Sequence, residues 1–113
     1  MIKTKSVYEP PEPTDGKRVL VMTIWPRGVR KDRVDEWQKD LGTPKELIHR
    51  WKGGKVTWAV FTSQYKKSLN GKEAQLRRLA EEGRKGDVTL LCTEKDAAHC
   101  HRSILKEVIE RMA

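Results

Sequence analysis

Between Cys92 and Arg102, eleven residues hold both cysteines, two of the three histidines, two acids and an arginine. Thiolates are nucleophiles and soft metal ligands, imidazole moves protons near neutral pH, and guanidinium grips phosphate or carboxylate. No other stretch of the 113 residues concentrates reactive side chains this way. The order Val88-Thr-Leu-Leu-Cys92 reads as an apolar strand, followed by a polar turn and a helix opening near Asp96. Asp96 is the expected cap of that helix, its carboxylate taking up free amides of the first turn. Cys100, one turn further in, would then sit near the positive helix end as a nucleophile, with His101 or His99 as base.

Periodicity gives these residues a second, structural reading. Ala97, Cys100, His101, Ile104, Leu105, Val108, Ile109 and Met112 make one apolar stripe, on which Cys100 would be a small core hydrophobe. Cys92 is likewise either a strand-end thiol or a buried strand residue. Glu94 is a candidate acid, and Arg102 either binds an anion or pairs with Glu94. A Cys92–Cys100 disulfide is geometrically conceivable. Zinc is not expected, because the spacing matches no standard finger. Successive helical residues also diverge by about 100°, so Cys92, His99, Cys100 and His101 cannot all converge. Neither a metal site nor a cofactor is therefore assigned.

Familiar catalytic patterns are missing. There is no Walker loop, no dinucleotide glycine fingerprint and no Ser-His-Asp pattern. A phosphatase-type loop sets its arginine in a glycine-rich cradle after the cysteine, but no glycine lies between Cys92 and Arg102.

The elements that would position these groups follow from the hydropathy pattern. Residues 2–7 suggest a short edge strand, and Tyr8–Asp15, with three prolines and three acids, an extended connector. Arg18–Ile24 reads as a buried central strand, ended by Trp25-Pro26-Arg27-Gly28. If it runs parallel to Val88–Cys92, Trp25, Arg27 and Cys92 emerge at one sheet edge, where open α/β sheets bind ligands. Arg27 would face the ligand, with Trp25 as a pocket wall or a lid over the core. A helix is expected over Asp32–Leu41. A second follows a Thr43-Pro44-Lys45-Glu46 capping box and runs to Gly53, with His49 on its surface. Trp58, Phe61, Tyr65 and Leu69 predict a helix despite local strand composition, with the aromatics in the core. Glu73–Glu82 predicts another, ending before Gly83.

Composition narrows the functional class. Hydrophobic residues make up 36% and charged residues 35%, enough for one modest core, and no stretch approaches the roughly 20 apolar residues of a membrane span. No signal-peptide pattern is seen, so the expected setting is the cytoplasm. The formal net charge of +8 attracts anions, but basic and acidic residues alternate along most helices as on solvated faces. One asparagine and three glutamines among so many charges resemble a thermophile's usage.

Several segments together resemble the YeaO-like family, domain of unknown function 488. They are Val7-Tyr8-Glu9-Pro10-Pro11, Asp15-Gly16 with Arg18-Val19-Leu20-Val21, and Trp25-Pro26-Arg27-Gly28-Val29. Further on come Glu36-Trp37, then Trp58 with Phe61 and Tyr65, and Val88-Thr89-Leu90-Leu91. The resemblance spans nearly the whole chain, implies a compact α/β domain and supports a helix over 55–69. It implies no activity, substrate or cofactor. Many members carry tyrosine at position 92 and Asn-His-Ala-like residues near 100–102, so thiol chemistry is not expected of all of them.

The expectation is thus an α/β fold over residues 1–113 as a single domain, with a small, mostly parallel central sheet flanked by helices. The leading functional reading is binding, or turnover, of a small anionic or phosphate-bearing ligand at the strand ends. Trp25, Arg27 and Arg102 would bind it, and Cys92, Glu94, Cys100 and His101 would be the chemical groups of an enzyme. The alternatives are a nucleic-acid-binding module and a non-catalytic interaction protein with structural cysteines. No membrane partner is expected, and the sequence leaves the oligomeric state open.

Overall fold

A computed structural model describes residues 1–112, leaving aside the Ala97 side chain. Four strands, β1 (Ile2–Ser6), β2 (Lys17–Leu20), β3 (Glu36–Trp37) and β4 (Val88–Cys92), form one sheet in the order β1-β4-β2-β3. Every pairing is parallel. Strand β4 lies inside the sheet and is buried along its whole length, as its unbroken run Val-Thr-Leu-Leu-Cys requires. Strands β2 and β4 are neighbours, so both point their carboxyl ends at one edge.

Four helices follow: α1 (Lys45–Lys52), α2 (Trp58–Ser68), α3 (Glu73–Lys85) and α4 (His101–Arg111). Alternation along the strands sends Val19, Val21, Val88 and Leu90 into one core with Leu47, Phe61, Tyr65, Leu79, Leu105 and Ile109 of the helices. The opposite face, with Leu20, Leu91 and Trp37 of β3, is covered by loop residues including Val7, Val29 and Trp25. Helices therefore cover one face and loops the other. Helix α2 forms as the aromatic spacing predicts, with Thr57 accepting a hydrogen bond from the Val60 amide at 3.2 Å as its cap.

Four local expectations are corrected. No helix spans Asp32–Leu41, where short 3-10 turns flank β3. The Asp35 amide donates to the Arg18 carbonyl, and the Gln38 amide to that of Leu20. The open edge of β2 thus takes up backbone groups that a helix would have paired internally. Val34 and Trp37 still pack inward, so their helical spacing was coincidental with an extended path. Helix α1 starts as anticipated, but Thr43 is buried and no side chain caps the helix. Helix α3 passes through Gly83 because Ile2 packs there, and a β-carbon on Gly83 would lie 2.5 Å from Ile2 Cδ1. Strand β2 ends at Leu20 rather than Ile24. Beyond it, side chains take the carbonyls: Trp37 Nε1 donates to Met22 at 2.7 Å, and His101 Nε2 bonds Val21.

Candidate functional site

The last helix does not begin at Asp96. Asp96 accepts from the Ala98 amide at 3.0 Å and caps a 3-10 turn over Ala97–His99. Cys100 then breaks the helical path with φ −127° and ψ 142°, and α4 starts at His101. This kink decides the geometry of the site. The 100° divergence of successive helical residues does not apply between an extended Cys100 and a helical His101, and their donor atoms meet. Three of the four groups meet and His99 stays apart, so the four do not all converge.

Cys92 sits at the carboxyl end of β4, on the sheet face that the helices cover. Its sulfur lies 3.0 Å from that of Cys100, and both cysteines are free and buried. His101 Nδ1 lies 3.9 Å from Cys92 Sγ and 3.7 Å from Cys100 Sγ. All three potential donor atoms fall within 4.8 Å of one another. On the far side of the ring, His101 Nε2 is 2.5 Å from the Val21 carbonyl oxygen. A carbonyl only accepts, so Nε2 carries a proton, and Nδ1 faces the two sulfurs. Tyr65 packs edge-on against the same ring at 5.4 Å and donates its hydroxyl to the Leu41 carbonyl at 2.6 Å. Burial, then the nearby thiols, pushes the Tyr65 hydroxyl well above its ordinary pKa.

The electrostatics separate the two thiols. Cys100 donates to Cys92, and this hydrogen bond, with the adjacent imidazole, draws Cys92 below the usual thiol range despite its burial. The same bond, reinforced by burial, pushes Cys100 up. Arg102 partly opposes that rise. Its guanidinium is not at the surface but buried, with Nη1 donating to the Glu94 carbonyl at 2.5 Å and Nε unpartnered. Arg102 thus meets Glu94 through its backbone carbonyl and not through the carboxylate with which pairing was anticipated. Glu94's carboxylate is exposed and accepts from the Asp96 amide at 3.0 Å.

The remaining candidates lie apart from the trio's contacts. Trp25 Nε1 donates to the Val29 carbonyl at 2.9 Å, and its ring meets Trp37 in a T at 5.3 Å, which fits a lid over the smaller core. Arg27 is exposed, and its carbonyl accepts from the Tyr8 hydroxyl. His99 pairs with Asp96 at 2.8 Å and packs beside Trp51 and Trp58, outside the thiol trio. His49 is exposed, as expected, and lines a surface hollow with Lys45, Arg50 and Lys55. Sequence reasoning missed Val21, whose carbonyl orients His101. Nothing in its residue type signals that role, which depends on where the chain leaves the sheet.

Comparison with known proteins gives a family but no activity. The chain matches over residues 1–113 a family model described as the inactive DUF488-N3 subclade. It is 37% identical over 108 residues to the uncharacterised protein YeaO of Escherichia coli K12, covering 94% of each chain. An uncharacterised protein of Mycobacterium tuberculosis H37Rv is 36% identical over 112 residues, covering 96% of this chain and 92% of the relative. No solved structure matches. With the whole chain matched by that model and nearly all of it aligned to YeaO, this protein belongs to the YeaO-like DUF488 family.

Proposed function

We propose that the protein is a thiol redox switch whose Cys92 and Cys100 close reversibly into a disulfide. The observation that carries this reading is the 3.0 Å separation of two free sulfurs beside Nδ1 of His101. A disulfide is about 2.05 Å long, so closure needs the sulfurs to approach by roughly 1 Å. Both thiols are at least nine-tenths buried, which favours a small oxidant such as hydrogen peroxide over a bulky protein disulfide.

The chemistry balances with peroxide as the oxidant. Cys92 passes its proton to His101 Nδ1 and attacks one peroxide oxygen. The S–O bond forms, the O–O bond breaks, and the departing hydroxide takes a proton and leaves as water. Cys100 then attacks the sulfenic sulfur, forming S–S and breaking S–O, and its proton leaves with that hydroxyl as a second water. In sum, two thiols and one peroxide give one disulfide and two waters. A cellular dithiol or monothiol reductant reverses the change. A cytoplasmic setting belongs to this proposal, since thiols rest reduced there. The family description as an inactive subclade favours a sensing or binding role over turnover.

The anionic-ligand reading has weaker support. Of its proposed ligand-binding residues only Arg27 is exposed, while Arg102 is buried against a backbone carbonyl and Trp25 is bonded within a loop. Nucleic-acid binding rests on the net charge of +8 without a specific site. No helix among the described residues is long and apolar enough to cross a membrane.

Titration of the reduced chain with hydrogen peroxide, read by intact mass and by alkylation after unfolding, tests the switch. The expected product is a monomer that has lost two hydrogens, has no alkylatable thiol and is restored by a dithiol reductant. Thiols that stay alkylatable, or sulfinic acid building up on separate cysteines, would overturn it.

A further inference from the structure

We infer that the reduced site is also a metal centre, binding one zinc-class divalent ion through Cys92 Sγ, Cys100 Sγ and His101 Nδ1. The inference shares the trio with the redox reading but does not require the disulfide to form. Tetrahedral zinc, with Zn–S of about 2.3 Å and Zn–N of about 2.0–2.1 Å, sets sulfur and nitrogen roughly 3.6 Å apart. The observed 3.7 Å and 3.9 Å lie close to that value. The same geometry sets two sulfurs roughly 3.8 Å apart, so the pair at 3.0 Å must open by roughly 0.8 Å. Disulfide closure asks for a comparable movement in the opposite direction. The resting pair therefore stands between two exclusive outcomes, and oxidation removes both thiolate ligands at once.

Three further features favour a metal. Sulfur and imidazole donors select zinc-class ions over magnesium or calcium, which take oxygen. Metal-bound histidines usually donate their other ring nitrogen to a carbonyl or carboxylate, and His101 Nε2 already does so to Val21. Two thiolates cancel the charge of a divalent ion, so the complex suits a buried position. Three protein ligands leave the fourth tetrahedral position to water or an incoming donor. His99 is not that donor, being exposed and paired with Asp96.

Cobalt(II) titration of the full chain, reduced and anaerobic, reads the site directly. The expected result is a 1:1 complex with a near-ultraviolet thiolate-to-cobalt band, which zinc displaces stoichiometrically. Cys92→Ser and Cys100→Ala should abolish the band. His101→Gln should weaken binding at least about 100-fold, the upper end for losing even a supporting partner. Peroxide treatment of the native chain should eject the metal, a readout that needs no variant to fold. Absence of the band while the disulfide still forms would sink the metal site and leave the switch. A band with no disulfide under peroxide would do the reverse. Binding that survives loss of both cysteines would place the metal elsewhere and overturn the inference.

Discussion

The two faces of the sheet bury polar groups in opposite ways. On the loop-covered face, Asp15 is buried between Arg18 Nη1 at 2.5 Å and Lys5 Nζ at 3.1 Å, and its carbonyl accepts from Thr89. Each charge there has an opposite charge in contact, and together they tie the connector after β1 to β2. At the end of the helix-covered face, Cys92, Cys100 and His101 form no ion pair. Their donor atoms face one another around a common point, while the outer nitrogen of His101 bonds the Val21 carbonyl and backbone amides of Glu94 and Arg102 reach the two sulfurs. The contrast separates a structural network from a candidate site. A polar cluster that is internally paired by charge holds the chain, whereas one whose soft donor atoms converge on a common point is arranged to receive something.

If that contrast is right, the charge network should matter most for stability. Asp15→Ala leaves Arg18 and Lys5 facing each other without their carboxylate, and breaking such a buried pair costs about 3–5 kcal/mol. Urea denaturation should show that loss, and a shift under ~1 kcal/mol would mean the network is solvent-relaxed.

Acid should act on carboxylates of both faces, Glu36 beside α3 and Asp15 under the loops. Burial works against ionising Glu36, but hydrogen bonds from Arg78, Gln38 and Lys17 outweigh it and hold the carboxyl at about 2. Asp15 is also held low, its burial outweighed by the Glu12 amide, Lys5 and Arg18. A carboxylate whose folded pKa is depressed stabilises the fold above its unfolded value. For Glu36 that contribution is lost as pH falls from about 4.5 through about 2. The expected loss is on the order of 2 kcal/mol after allowing for partial exposure. Glu36→Gln should flatten this slope in denaturation curves taken across that range. An unchanged slope would assign the acid sensitivity elsewhere.

The thiols should matter least to stability. Cys100→Ala removes a small buried group, so a cost of about 1 kcal/mol is expected. A loss several times larger would make the cysteines structural and erase the distinction between the two faces.

The sequence was most informative where one residue type allows only one environment. The run Val88–Cys92 read as a buried strand and is one, and the spacing of Trp58, Phe61, Tyr65 and Leu69 pointed to a helix against their local strand composition. The segment 31–41 was illegible because Val34 and Trp37 reach the core equally well from a helix or an extended chain. What decided it was the open edge of β2, which sequence spacing does not reveal. Arg102 was misplaced for a similar reason. It lies off the apolar stripe, yet the loop after β4 folds back over it and takes its guanidinium with the Glu94 carbonyl.

By itself the sequence determined that reactive groups gather at the junction of β4 and the last helix, because residue types and strand ends are local properties. Tertiary structure alone decided which of them meet. One extended residue, Cys100, breaks the helical phase and brings both sulfurs to His101. The sheet register in turn sets the Val21 carbonyl against His101 and so fixes the face that its ring presents. Backbone phase and register arise from contacts across the whole fold, and no spacing within eleven residues encodes them.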